Sequence, residues 1–480
     1  MQTVARRALP RLSRGWLAYR YSTAAARPPS TPLQETENVR TLINLADVVR
    51  QEHLDQAASS PRPARLPTRL NTRSWADEAK ARAAAAADKR AGAQGAHDLD
   101  EEAHRRLVQP KRMYDSFVEL SLPFRSRPEV LEKYIATSGS IRLGKLFEDL
   151  DNLAGDISYT HVLGGRPTAA DHHANPIFIV TASVDRLDLL ERLQTECDYR
   201  LSGMVIYVGS SSMEVLVTVQ EQDSGRTCLT GRFTMATRNA ATGKSQPIAP
   251  LDVRGEAEAR LFEMGAAHKS RKKLEAKASL DRVPPTSDEA ALLHDIWLPG
   301  RQEQQMQTVE MQDTMLDTVM HMHPQQRNVH MKVFGGFLMR AAYETAWMGA
   351  AMFAQRPVGF LSLDALSFHL PVPIGAVLSL TSHVTYTSTA AAEAAADGQQ
   401  SAGKGKGEEG SSIASVVVLA EVVDVETGER NKSNTFHFSF DIGPAHKRVV
   451  PQSYSDSMAW IEGRRRFELG EELRRIYRMQ

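Results

Sequence analysis

Cysteine is nearly absent, with two residues in a chain of 480. So few thiols exclude a disulfide scaffold and a four-thiolate zinc site, and they fit a reducing compartment. Long apolar runs are missing as well. The densest stretches, residues 346–354 and 414–423, reach about half the span that a bilayer demands, so no membrane-spanning helix is expected. Net charge is also lacking, because 58 Lys and Arg balance 58 Asp and Glu. Without a basic excess there is no electrostatic footprint for nucleic acid. The chain contains no Gly-x-Ser-x-Gly elbow, Rossmann glycine fingerprint or phosphate loop, which removes the usual signatures of serine hydrolases and nucleotide enzymes. What remains is an ordinary globular composition, 42% hydrophobic and 24% charged, at a length that admits about three domains.

The ends and the low-complexity stretches account for much of that length. Before Glu35 there is no acid, while Arg6, Arg7, Arg11, Arg14, Arg20 and Arg27 alternate with Leu9, Leu12, Trp16 and Leu17. An Arg-rich, acid-free segment able to form an amphipathic helix has the composition of a mitochondrial presequence, so residues 1–30 are read as an address to the matrix. Residues 31–105 are read as a linker and low-complexity region, with Pro-Arg repeats and an alanine run from 61 to 100. Residues 390–412 hold Gly and Lys with nothing to bury and read as a disordered insertion between two strands. Residues 241–305 are a helical linker, and 444–480 a terminal helix packed on the body through Trp460, Ile461 and Phe467.

Two strand-rich blocks share one order of elements. In the second block, 306–443, a Thr- and Val-rich strand at 307–323 leads to Gly335-Gly336. Leu338, Met339, Ala342, Ala346, Met348, Ala350 and Phe353 then recur at helical spacing and stop before Pro357. Strands follow at 359–370, 376–388, 412–424 and 432–442. The first block, 110–240, repeats this with a strand at 114–122, a helix at 145–159, and strands at 177–188, 200–208, 215–220 and 227–237. A helix embraced by an antiparallel sheet buries nearly its whole circumference, which accounts for the charge-poor 334–353. Two such halves in one chain suggest an internal pseudo-dimer.

Residues that carry chemistry sit at both helix starts. Gly335-Gly336 opens a helix whose first N–H groups lack partners and carry partial positive charge, so a carbonyl that gains negative charge can sit there. Glycine also lets a ligand approach the backbone. A tight turn alone would use the same pair. Asp151 follows Gly144 by seven positions, about two turns, so it lies on the face near the helix start. Its neighbours Glu148 and Asp149 compete for the same role. His321 and His323 share a strand face with His330 nearby, and Asp171-His172-His173 lies elsewhere, but no third ligand is placed and no metal site is read.

The segments Asn328-Val-His-Met-Lys-Val-Phe-Gly-Gly336 and Ile141-Arg-Leu-Gly-Lys-Leu-Phe-Glu-Asp-Leu-Asp151, with Leu361–Phe368 and Pro371–Gly375 behind them, resemble the double-hotdog acyl-coenzyme A thioesterases, and within them the mitochondrial thioesterase 9-like subgroup. The resemblance implies an α+β fold of two tandem hotdog domains, each a long central helix wrapped by an antiparallel sheet of about five strands. It implies hydrolysis of acyl-coenzyme A without a cofactor, coenzyme A entering as part of the substrate, and association of copies of the chain. It makes Asp151 the general base, or by a covalent route the nucleophile, and has Asn328 orient the water. Gly335 or Gly336 would stabilise the oxyanion. Where the second helix would carry its own acid it has Tyr343, with Glu344 one place further and given a secondary role. A hotdog hydratase or dehydratase, and an acyl-binding protein without chemistry, are the competing classes.

Overall fold

The computed structural model describes residues 39–56, 108–164, 177–239, 242–298, 307–328, 332–364, 366–388, 412–444 and 447–478. The presequence, the stretch 61–100 and residues 390–411 of the insertion lie outside them. Helix α1 (Val39–Gln56) comes first, followed by β1 (Val118–Leu122) and α2 (Leu143–Leu163). Then come β2 (Ile177–Leu189), β3 (Tyr199–Val208), β4 (Ser212–Glu221) and β5 (Thr227–Asn239). Helices α3 (Gly255–Lys277) and α4 (Ser287–Trp297) cross to the second half. There β6 (Gln307–Glu310) and β7 (Leu316–His321) precede α5 (Gly335–Ala354). Strands β8 (Gly359–Leu363), β9 (Leu366–Phe368), β10 (Val377–Thr387), β11 (Ser412–Val423), β12 (Arg430–Gly443) and β13 (Lys447–Val450) lead to α6 (Tyr454–Arg478).

Each half is a hotdog unit. Strands β1 to β5 wrap α2, and β7 to β12 wrap α5, all antiparallel. Leu146, Phe147, Leu150, Leu153 and Ile157 make α2 solvent-free on its sheet side, and Ala342, Ala346 and Ala350 do the same for α5. The helices end where the backbone turns left-handed: Gly164 at φ 72 after α2, and Gln355 at φ 55 ahead of Pro357 after α5. The two sheets are one. β2 pairs with β8 through Leu187↔Leu363 and with β9 through Val184↔Leu366, making eleven continuous strands. That seam is antiparallel, as a pseudo-twofold requires, and it brings α2 and α5 face to face.

Several local expectations change. Residues 307–323 are two strands, because Met311–Thr314 forms a 3-10 turn that sends Met311 into the core. Residues 114–122 likewise begin with a 3-10 turn, Met113–Ser116, before β1. The stretch 359–370 is β8 and β9. Within 31–105 the structure has α1, whose Leu42 and Val49 pack with Leu261 and Met264 of α3. Residues 444–480 contain β13, parallel to β6, before α6 covers β10 and β11 with Trp460 and Phe467 against Tyr386. No helix among the described residues is long and apolar enough to cross a membrane.

Candidate active site

The site is built where the two central helices start. Gly144 is the second residue of α2 and Gly336 the second of α5. A Cβ on Gly144 would lie 2.8 Å from Arg340 Cγ and 3.2 Å from Tyr343 Cδ1; one on Gly336 would lie 2.8 Å from Glu148 Cα and 2.6 Å from Phe334 Cε1. Each helix start therefore touches the other helix, and only glycine permits that approach. The first turn of α5 then meets a carboxylate: Gly336 N–H donates to Asp151 Oδ2 at 2.7 Å. On the other side Thr181 Oγ1 of β2 donates to Asp151 Oδ1 at 2.7 Å. A Cβ on Gly335 would come within 3.0 Å of Asp151 Oδ2 and 3.3 Å of the Phe368 ring.

Asp151 is only 3% exposed. Burial pushes its carboxyl up to about 6, against the hydrogen bonds from Thr181 and Gly336 that favour the charged form, with Glu148 adding a smaller upward push. A carboxylate with that proton affinity, held in a fixed orientation by two donors, can take a proton from water near neutral pH.

Three acids compete on α2, and the structure separates them. Asp149 accepts Tyr134 Oη–H at 2.6 Å inside the first unit. Glu148, fully buried, takes Lys145 Nζ at 2.7 Å and Arg340 Nη1 at 3.2 Å. Asp151 reaches the start of α5. Asn328 pairs with Lys332 ahead of this start: its side-chain oxygen accepts Lys332 N–H at 3.1 Å and its own N–H donates to Lys332 O at 2.7 Å. Glu344 stands apart, with its side chain 44% exposed and paired to Arg142 at 2.8 Å. Tyr343, at the position matching Asp151, lies among the rings of Phe147, Phe360, Phe438 and Phe440. Burial raises its hydroxyl well above the usual range.

Thr181 escaped the sequence reading. It lies thirty residues beyond Asp151 in a strand of ordinary composition, and its signal is geometric: the β2–β5 register shifts between Thr181 and Ser183, a bulge of the kind that re-aims a side chain. Of the histidines singled out in the sequence, His321 and His323, which are among the described residues, make no recorded contact with Asp151. His321 and His323 stack edge to face, and the His321 ring lies 3.2 Å from Gly375 O; His330, His172 and His173 are outside the described residues.

The fold and the site together define a tandem hotdog protein with a buried carboxylate at the junction of its two units. No family model matches the chain. Among curated proteins it is 30% identical over 379 residues to mitochondrial acyl-coenzyme A thioesterase 9 of Mus musculus, covering 76% of this chain and 80% of that protein. It is 31% identical over 372 residues to the Homo sapiens protein of the same name, covering 75% and 78%. A solved oleoyl thioesterase from Lactobacillus plantarum is 9% identical, with a TM-score of 0.40 over 68% of this chain and 95% of that one. The chain belongs to the acyl-coenzyme A thioesterase family.

Proposed function

We propose that the chain hydrolyses acyl-coenzyme A to a free acid and coenzyme A in mitochondria, with Asp151 as the base. The observation that carries this is Asp151, buried, raised to about 6 and fixed between Thr181 and the Gly336 N–H. Water attacks the thioester carbonyl carbon as Asp151 takes its proton. Negative charge gathers on the carbonyl oxygen. The Gly336 N–H is committed to Asp151, so the donor assigned to that oxygen is Gly335, where the dipole of α5 adds to the effect. Collapse breaks the carbon–sulfur bond, and the departing thiolate receives the proton. Asn328 positions the water in this reading. No cofactor takes part, since coenzyme A is the leaving half of the substrate.

The names of the animal relatives support mitochondrial residence, and the Arg-rich start of the chain supports the matrix. Association of chain copies belongs to the same reading. A hydratase would need a histidine facing an acid, and the side chain that holds Asp151 is a threonine. The test is thiol release from acyl-coenzyme A of short, medium and long chain by the purified protein, followed with a colorimetric thiol reagent. Release from at least one member supports the reading. Binding without release across the series would make the chain an acyl-binding protein.

A further inference from the structure

Counted from the first residue of each central helix, Glu148 is the sixth of α2 and Arg340 the sixth of α5. Duplicated halves thus carry opposite charges at matching positions, and these charges meet. Arg340 Nη1 lies 3.2 Å from Glu148 Oε1, with the Glu148 side chain wholly buried. Lys145 donates to the other oxygen at 2.7 Å. The pair occupies the helix crossing itself, since Glu148 Cα is what a Cβ on Gly336 would strike and Arg340 Cγ what one on Gly144 would strike. Asp151 is three residues on, along the same face of α2.

Two copies of one unit cannot make such a pair. First unit on first unit would set the buried Glu148 against Glu148, and second on second the partly exposed Arg340 against Arg340, like charges brought together. One unit of each kind gives attraction. That same pairing puts the Asp151 of one unit on the Gly336 of the other.

We propose that Glu148 and Arg340 are positioning residues whose ion pair locks the two units in the register that seats Asp151 on the Gly336 N–H and whose charge balance governs the protonation of that carboxylate. The inference rests on Asp151 being the base. The charged groups gathered at this corner include Lys145 and Glu148 of α2 and Arg340 of α5, with Asp149 turned to Tyr134 beside them; of these Glu148 acts on the Asp151 carboxyl directly. β2 presents Thr181 and β9 presents Phe368, neither of them charged.

The test uses the full chain with Glu148→Gln, Arg340→Gln, the double variant and Arg340→Lys, reading kcat and KM against pH beside thermal melting. Arg340→Gln removes a cation and moves the acid limb of kcat up. Glu148→Gln removes an anion and moves it down, each by roughly 0.5–1 unit. The double variant returns the limb toward that of the parent and recovers kcat over Arg340→Gln, and Arg340→Lys keeps the parent limb. Limbs that stay put or move together, or a double variant no better than either single, overturn the inference. Should Arg340→Gln fail to fold, recovery of a folded, active double variant is itself the coupling expected, and its absence counts against the pair. Asp151→Asn separates the two claims. Full activity there removes the base, whereas an inactive Asp151→Asn with unmoved limbs in the other variants removes this inference alone.

Discussion

Gly336 of the second hotdog unit donates its N–H to Asp151 of the first at 2.7 Å. Neither unit can make this contact alone, because the carboxylate and the helix start that orients it come from different halves of the duplication. The matching contact on the other side of the pseudo-twofold sets Gly144 against Tyr343, 3.2 Å from the Cβ position, where an aromatic ring replaces the acid. One junction thus holds a buried carboxylate and the other an aromatic ring.

Replacing Asp151 with Asn should lower turnover by about 10²–10⁴. The amide oxygen still accepts the Gly336 N–H, and the amide N–H can donate to the Thr181 hydroxyl in place of the hydrogen bond that the carboxylate accepted, so the fold survives. In the parent, activity should fall as pH drops through about 6, where the carboxylate takes a proton. The stability effect has the opposite sense. A carboxyl raised from 3.8 to about 6 in the folded chain holds its proton more tightly there than when unfolded, so it favours folding at low pH and that advantage is lost as pH rises through about 6. The loss approaches about 3 kcal/mol above that pH. Asp151→Asn should therefore melt no lower than the parent at pH 8, with the difference shrinking toward pH 4. Undiminished thiol release in the variant would end the assignment.

Thr181→Val removes the hydroxyl that donates to Asp151 Oδ1 and keeps the branched shape. One donor fewer on the charged form raises the proton affinity of Asp151 further, so the acid limb should move to higher pH and kcat should fall by about tenfold. Thr181→Ser, which keeps the hydroxyl, should restore both. A valine variant with the parent's pH profile would show that the hydroxyl does not hold the base.

The parts of this site legible in the sequence are those encoded locally. Gly335-Gly336 and the spacing from Gly144 to Asp151 lie within single helices, where periodicity fixes which residues share a face. Choosing Asp151 over Glu148 needed the resemblance, since Glu148, Asp149 and Asp151 are all buried and burial is invisible to spacing. Thr181 and Arg340 come from other elements, and only the bulge in β2 and the crossing of the helices bring them in. The same limit applies to α1, whose buried Leu42 and Val49 find their partners in α3, more than two hundred residues further on. The 3-10 turn at Met311–Thr314 breaks a run of Thr and Val that strand propensity alone would continue.

Glu344→Gln tests the one candidate that the structure sets apart. The ion pair with Arg142 is more than two-fifths exposed on both sides, and solvent screening holds such a pair to about 0–1 kcal/mol. Turnover should stay within about twofold of the parent and melting should barely move. A loss beyond tenfold in kcat, with melting unchanged, would return Glu344 to the chemistry.

Gly336→Ala is the most direct probe of the crossing. The added Cβ would sit 2.8 Å from Glu148 Cα, a backbone atom that cannot rotate aside, and 2.6 Å from the Phe334 ring, which can. The ring can yield, but the helix must shift, at a cost of about 1–3 kcal/mol in overpacking. A shift of α5 away from α2 lengthens the Gly336 N–H bond to Asp151, and a misplacement of about 1 Å can cost about 10²-fold in rate. Because that bond favours the charged carboxylate, its weakening should also carry the acid limb upward. Turnover, the pH limb and the melting temperature should thus change together in this variant. A protein that melts lower yet keeps the parent's turnover and limb would show that the close approach of α2 and α5 serves packing alone.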